Sequence, residues 1–462
     1  MTQRDLRGVP VSTDNPRALE LFETALVQFH TYVGDPVATI EEAIEEAPDF
    51  VLGHAVRATL LLLASEAQYL PGVRQSLEAA EGLSHRANDR ERGLTLAARR
   101  WFEGDWQGAC EAWDRVLVDH PTDAFAVQAA HLTDFFLGDA VNLRDRLARV
   151  LPAWSEDTPS YSYLLGMYAF GLEECNLYAQ AETIGRRALD IEPKDGWGVH
   201  AVTHVLEMQA RVDEGIEWLT SREADWAPDS GFAFHNWWHL ALFHLDRDDT
   251  AAALELYDRR IYPAPSGMSM QMLDASALLW RLWLQDVDIG DRWSTLAEDW
   301  EGKLEVENGY YAFNDVHALM ALRCDGRDEA ADRVIADLER AAARGDDTNA
   351  VMSREVGLPV ARAIDAFCRG RYDDAVDQLF ALRPIANRFG GSHAQRDLLS
   401  QTLIEAALRA GKPALARHFI NERTALKPSS PLAWRYLARA KLAAGDEGGA
   451  RSAQRRAETL AR

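Results

Sequence analysis

Small and large residues recur along this chain at an interval that few folds accommodate. Gly93, Val127, Leu165, Val199 and Trp237 fall on one register, separated by 34, 38, 34 and 38 residues. A unit of that length is a single supersecondary element that cannot bury an apolar face alone, so neighbouring units must stack. Packing residues carry the register. Trp237-x-x-Leu240-Ala241 is followed by Ala253 and Tyr257, and Trp434-x-x-Leu437-Ala438 by Ala450 and Ala457. The second half of the unit reads Ala109, Trp113, Val116, Pro121, and again Ala181, Gly185, Ala188, Pro193. The small residues let two helices approach closely, and the large ones fill the space toward the next pair. The breaks are short, such as Gly104-Asp105, Gly138-Asp139, Gly411-Lys412-Pro413 and Gly445-Asp446, as antiparallel helical hairpins require.

Between the breaks the chain is rich in Ala, Leu, Glu and Arg, with apolar residues recurring at three and four. Hydrophobic residues are 47% of the 462, enough for an extended core. The pattern resembles the tetratricopeptide repeat, a helix–turn–helix unit of about 34 residues. The expected fold is all-α, a tetratricopeptide-like helical-hairpin repeat solenoid of about a dozen hairpins wound as a right-handed superhelix. The one long irregular stretch, Tyr262 to Met270, suggests two parts: residues 1–261, carrying a histidine cluster, and residues 262–462, packed continuously with the first.

Lys plus Arg number 49 against 73 Asp plus Glu, a formal charge of −24. That acidity argues against nucleic acid and anionic membranes as partners, since both draw on clustered positive charge. It leaves room for a local basic pocket. Cys110, Cys175, Cys324 and Cys368 are scattered, without a C-x-x-C or a disulfide framework. The first residues lack the apolar segment of a secretory signal, and the most apolar stretch, Thr59 to Ala64, is too short to span a bilayer. A cytoplasmic protein is the expectation. Oligomeric state is not legible.

One stripe of each first helix would line the inner face of such an array. In the unit anchored on Val199 the stripe holds Trp197, His200, His204, Glu207 and Met208. The unit anchored on Trp237 adds His235 and Trp238, with His239 one turn on. Two H-x-x-x-H pairs thus sit on consecutive first helices, each pointing two imidazoles the same way, a geometry that chelates a divalent metal. His200, His204, His235 and His239 are the candidate metal ligands, and a divalent metal the candidate cofactor. The bland alternative is that these rings cap turns or bond between helices. Nine of the fourteen tryptophans lie between Trp197 and Trp300. Most of these are expected in the core, but Trp197 and Trp238 fall on the stripe as apolar walls for a pocket.

Further along, Asn314 reads as a helix N-cap with Asp315 and His317 in the first turns, and Asp274 as another cap. Gly390-Gly391-Ser392-His393-Ala394-Gln395-Arg396-Asp397 is a glycine turn into a helix start, a place for a carboxylate or phosphate with Arg396 assisting. The alternative there is a capping turn whose Arg396 and Asp397 tie neighbouring hairpins together. No G-x-S-x-G, P-loop, G-x-G-x-x-G or H-E-x-x-H is present.

Six longer strings carry a more specific resemblance: VHAVTHVLEM (199–208), FHNWWHLALF (234–243), LDASALLWRL (273–282), FNDVHALMAL (313–322), REVGLP (354–359) and GGSHAQRDLLSQTL (390–403). Together they resemble the tetratricopeptide repeat protein 38 family, from about residue 10 to 410. The resemblance implies the repeat fold and little settled biochemistry. It implies a shared set of site residues, here His200, His204, Glu207, His235, Asn236, His239, Asp274, Asn314, Asp315, His317, Arg396 and Asp397, beside Gln395. Where family members carry Cys before the second string's His-Asn, this chain has Phe234. The expected function is binding of a peptide segment or a small polar or acidic ligand at the His/Glu/Trp cluster. The alternative is a metal-assisted or acid–base hydrolase or lyase, with the histidines and Glu207 as catalytic groups. An open groove would favour peptide binding, and a closed chamber with buried imidazoles would count against it.

Overall fold

The computed structural model describes residues 3–307 and 309–461. The fold is all-α, a tetratricopeptide-like helical-hairpin repeat solenoid, and its strand content among the described residues is one short antiparallel pair, Gln3–Arg4 with Pro10–Val11. The five register residues all fall on first helices of hairpins: Asp89–Phe102, Ala124–Leu137, Tyr161–Glu174, Gly196–Met208 and Ala233–Asp246. Each occupies the fourth or fifth place of its helix. No helix of the described residues is long and apolar enough to cross a membrane.

The chain packs as two compact units. The first holds Met1–Val202, Ala224–Phe232 and Asp346–Asn349, and the second holds Thr203–Glu223, Ala233–Gly345 and Ala350–Arg462. The division falls inside the Gly196–Met208 helix rather than at 261/262, because helix packing and not the irregular stretch sets where the units part. That stretch is also shorter than expected. A π-helical turn, Tyr257–Ile261, precedes it, and the next helix already begins at Ser269.

The Gly-Asp breaks act as paired signals. Gly104, Gly138 and Gly445 take positive φ values of 90°, 64° and 78°, a conformation glycine adopts without steric cost at a helix end. The following Asp then caps the next helix: Asp105 accepts from the Gly108 N–H, Asp139 from Asn142 and Asp446 from Gly449. Inside the helices glycine serves close approach. A Cβ on Gly171 would lie 2.5 Å from the Leu143 carbonyl group, and one on Gly93 would lie 2.4 Å from Val116 Cγ2.

In the second unit the Ser269–Leu284 helix is the hub. It packs against Ala233–Asp246, Ala312–Cys324 and His393–Arg409, so four of the six family-like strings surround one another. Trp280 Nε1 donates to Thr402 Oγ1 at 2.9 Å, and Trp300 Nε1 to Ser276 Oγ at 3.0 Å. REVGLP supplies a second π-helical turn, Ser353–Gly357, whose Gly357 passes so near Ala312 that a Cβ would meet it at 2.7 Å. The cysteines are free, but they are not all apart: the Cys324 thiol is raised by burial and then by the neighbouring Cys368.

These packing distances predict opposite outcomes for two glycine substitutions. Gly171→Ala drives a methyl into the Leu143 backbone and lowers stability by about 1–3 kcal/mol. Gly302, exposed in the Arg292–Glu307 helix with nothing within 4 Å of a built Cβ, gains about 0.5–1 kcal/mol as Ala. Thermal denaturation of the two variants, followed by circular dichroism, checks the signs.

Candidate functional site

An imidazole on the packed face of a helix is costly to bury without a hydrogen-bonding partner. In the second unit two such rings each meet a carboxylate. His239 Nδ1 lies 2.7 Å from Glu207 Oε2, joining Ala233–Asp246 to Gly196–Met208. His235 Nδ1 lies 2.7 Å from Asp274 Oδ2, joining the same helix to Ser269–Leu284. His204 completes the group, its ring centroid 4.5 Å from that of His239, while His235 stands 4.8 Å from His239. One ring nitrogen from each of His204, His235 and His239 lies within 4.8 Å of the others.

All three rings are buried, His204 and His239 completely. Burial, reinforced by neighbouring cationic groups, holds His204 and His239 well below the ordinary imidazole range, so they sit as neutral rings. Burial also raises the Glu207 carboxyl, against the pull of Lys427 and Arg281, and raises Asp274 against that of His235. A neutral ring whose Nδ1–H is given to a carboxylate keeps a lone pair on Nε2.

Glu207 also lines a small, partly open cavity of about 30 Å³ with Arg281, Asp397, Gln401, Arg423 and Lys427. Arg423 is paired with Asp397, its Nη2 2.9 Å from Oδ2. Burial alone would raise Asp397, but the Arg423 and Lys427 charges hold it below the usual carboxylate range. Arg281 is different. Its guanidinium is buried over the Trp238 ring at 5.3 Å and donates to carbonyls, Ala277 O at 3.0 Å and Ala394 O at 2.7 Å. Neither Arg281 nor Lys427 forms an ion pair with a described carboxylate within 4.0 Å. Both face the cavity, and burial pulls Arg281 below its ordinary value against the opposing charges of Asp397 and Glu207.

The other candidates have their own surroundings. His200 lies on the same helix as His204 but belongs to the first unit, against Phe170 and Phe232 at centroid distances of 5.5 and 5.2 Å. Trp197 is also in the first unit, packed edge-on to His131 at 5.5 Å, and Trp238 is fully buried against His235. Both indoles are core residues rather than groove walls. Asn236 is buried, its Oδ1 without a hydrogen-bond partner.

Asp274 is not a cap. It stands in the interior of its helix, where Met268 holds the N-cap place. Asn314 is not one either, since Tyr311 precedes the Ala312–Cys324 helix and Asn314 is buried in its first turn. Asp315 is buried beside Glu307, and burial followed by that charge pushes its carboxyl well up. His317 gives its Nδ1–H to the Phe313 carbonyl at 2.8 Å and stands outside the imidazole group. Ser392 and Gln395 form a reciprocal capping box, and Arg396 donates to the Gly390 and Gly391 carbonyls, closing its own turn.

Arg281, Arg423 and Lys427 were not among the sequence candidates. The one available signal was an arginine inside the apolar run ALLWRLWL (277–284).

No family model matches the chain. It is similar to human IFIT1, in a dimer with m7Gppp-AAAA, at 14% identity over 98% of this chain and 96% of that one, with a TM-score of 0.43. The IFIT1 dimer with PPP-AAAA gives 13% identity, the same coverage and 0.43. Yeast Tom70 gives 14%, 96% and 92% coverage, and 0.33. Likeness at this level carries no assignment of ligand. It does remove one expectation. IFIT1, a helical-repeat chain, was solved with oligonucleotides, so the exclusion of nucleic acid drawn from net charge is withdrawn. Net charge describes the whole surface, whereas a pocket is governed by its own lining, and here that lining includes Arg281 and Lys427.

The buried rings predict acid sensitivity. His317 is lowered by burial to about 4, while an unfolded histidine titrates near 6.5. The unfolded chain therefore binds more protons between those values, and stability falls as pH drops below about 6.5. The raised carboxyls of Glu207 and Asp274 act in the opposite sense, so His317 alone gives the clean test. His317→Leu removes about 2 kcal/mol of the stability loss between pH 7 and pH 5, read from thermal unfolding of both proteins across that range.

Proposed function

We propose that this is a cytoplasmic ligand-binding helical-repeat protein of the tetratricopeptide repeat protein 38 type, whose second unit takes a small acidic ligand. The observation that carries the reading is the pair of buried cations, Arg281 and Lys427, which face one cavity without a carboxylate ion-pair partner. A buried charge left unpaired is costly, and an anionic oxygen of a ligand offsets that cost through charge-assisted hydrogen bonds. Gln401 adds an amide to the same lining. A small ligand is favoured over a peptide segment because the imidazoles are buried rather than displayed along an open groove.

A second reading, an enzyme acting on that acidic ligand, is supported by the two imidazole–carboxylate pairs beside the cavity. A neutral ring held in one tautomer by a carboxylate is the form in which histidine serves as a general base. Glu207 then orients His239 rather than acting as the base itself.

The ligand reading is tested by isothermal titration of chelator-treated protein with pyrophosphate and with di- and tricarboxylates. At least one binds, and Lys427→Met weakens it about 10–100-fold. Arg281→Lys weakens it too, since a point charge does not replace the fork of a guanidinium. Saturable binding indifferent to both substitutions, or no binding by any of these anions at millimolar concentration, overturns the reading.

A further inference from the structure

The imidazole group has a feature that anion binding does not use. Two of its three rings are already fixed through Nδ1 by carboxylates from other helices, His235 by Asp274 and His239 by Glu207, each at 2.7 Å. That is the arrangement of a metal-binding histidine, whose second nitrogen almost always gives its proton to a carboxylate or carbonyl. The bond sets the tautomer and fixes the ring plane. We propose that His204, His235 and His239 form a binding site for one first-row divalent transition-metal ion, with Glu207 and Asp274 as the outer carboxylates that orient two of the ligands.

Three considerations set the metal class. Neutral imidazoles suit zinc, copper, iron and nickel, whereas magnesium and calcium take oxygen ligands. Imidazole nitrogens without a thiolate among them are the donor type of reactive zinc sites, whereas structural sites lean on cysteine. The outer carboxylates supply negative charge near the ion without ligating it. The ligand nitrogens lie within 4.8 Å of one another, while nitrogens sharing one tetrahedral ion at about 2.0–2.1 Å stand roughly 3.4 Å apart. Loading therefore draws the rings together by about 1 Å, within the reach of small side-chain rotations. Trp238, stacked on His235 at a centroid distance of 5.3 Å and edge-on to His239 at 4.9 Å, limits larger movement.

The inference goes beyond the anion reading and stands apart from it, because it uses the ring nitrogens while the anion reading uses Arg281 and Lys427.

The test uses the full chain, stripped with a chelator, dialysed and loaded with zinc or cobalt(II) in the absence of any candidate anion. One equivalent of zinc per chain is expected by elemental analysis. Cobalt(II) is expected to give the visible absorption of a four- or five-coordinate nitrogen site. His204→Gln with His239→Gln abolishes the cobalt spectrum and loses at least 100-fold in zinc affinity. Glu207→Gln and Asp274→Asn keep the stoichiometry and weaken binding about 10–100-fold, which a role in folding alone would not produce. Circular dichroism of each apo variant confirms that the helices persist. Failure of the folded wild-type chain to bind either metal below about 100 µM overturns the proposal, as does binding unchanged in the double histidine variant. Anion binding by the chelated protein is read separately, so either proposal can fail without the other.

Discussion

Polar side chains on the packed faces of helices must find partners inside the protein, and in the second unit that constraint is met by imidazole–carboxylate pairs. His239–Glu207 and His235–Asp274 join three successive first helices, Gly196–Met208, Ala233–Asp246 and Ser269–Leu284. Each pair replaces the water that both groups would otherwise hold. The helices stand where they do partly because these bonds need about 2.7 Å. Close packing around the Ser269–Leu284 hub in turn excludes the solvent that would weaken them. The neutral state of the rings follows.

The same burial gives the cavity its sign. A chain with a formal charge of −24 still places Arg281 and Lys427 on one cavity without a carboxylate in ion-pair contact, while Arg423 and Asp397 pair directly. In a poorly solvated interior a local cation matters more than the sum over the surface. Arg281 also couples the two features of the site, since its guanidinium lies over Trp238, and the opposite association of that indole is with His235 and His239. A small, positively biased cavity next to fixed imidazoles suits a compact anion better than an extended peptide.

The fold was legible because its signal is local and repeated. Gly93, Val127, Leu165, Val199 and Trp237 recur at one depth of successive first helices, and a helix must place a small or large residue there for the next to pack. The Gly-Asp breaks were legible for the same reason, as left-handed ends followed by caps. Asp274 and Asn314 were misread as caps. The residue types that cap helices are also those that hydrogen-bond across a core, and only packing separates the two uses. The unit boundary was missed because an irregular stretch attracts attention in a sequence, while compactness is a property of contacts between distant residues.

The i, i+4 pairing of histidines on two consecutive helices, and therefore the shared facing of each pair, was determined by the sequence alone, since helical geometry places such residues together whatever surrounds them. Which carboxylate answers which ring was decided only by tertiary structure, as was the clustering of His204, His235 and His239, the retirement of Trp197 and Trp238 into core, and the exposure of Arg281 and Lys427 to one cavity. Glu207 and His239 are 32 residues apart, Asp274 and His235 are 39. Bonds across such intervals depend on the rotation and offset of whole helices to within a fraction of an ångström, and no local preference of the chain encodes that.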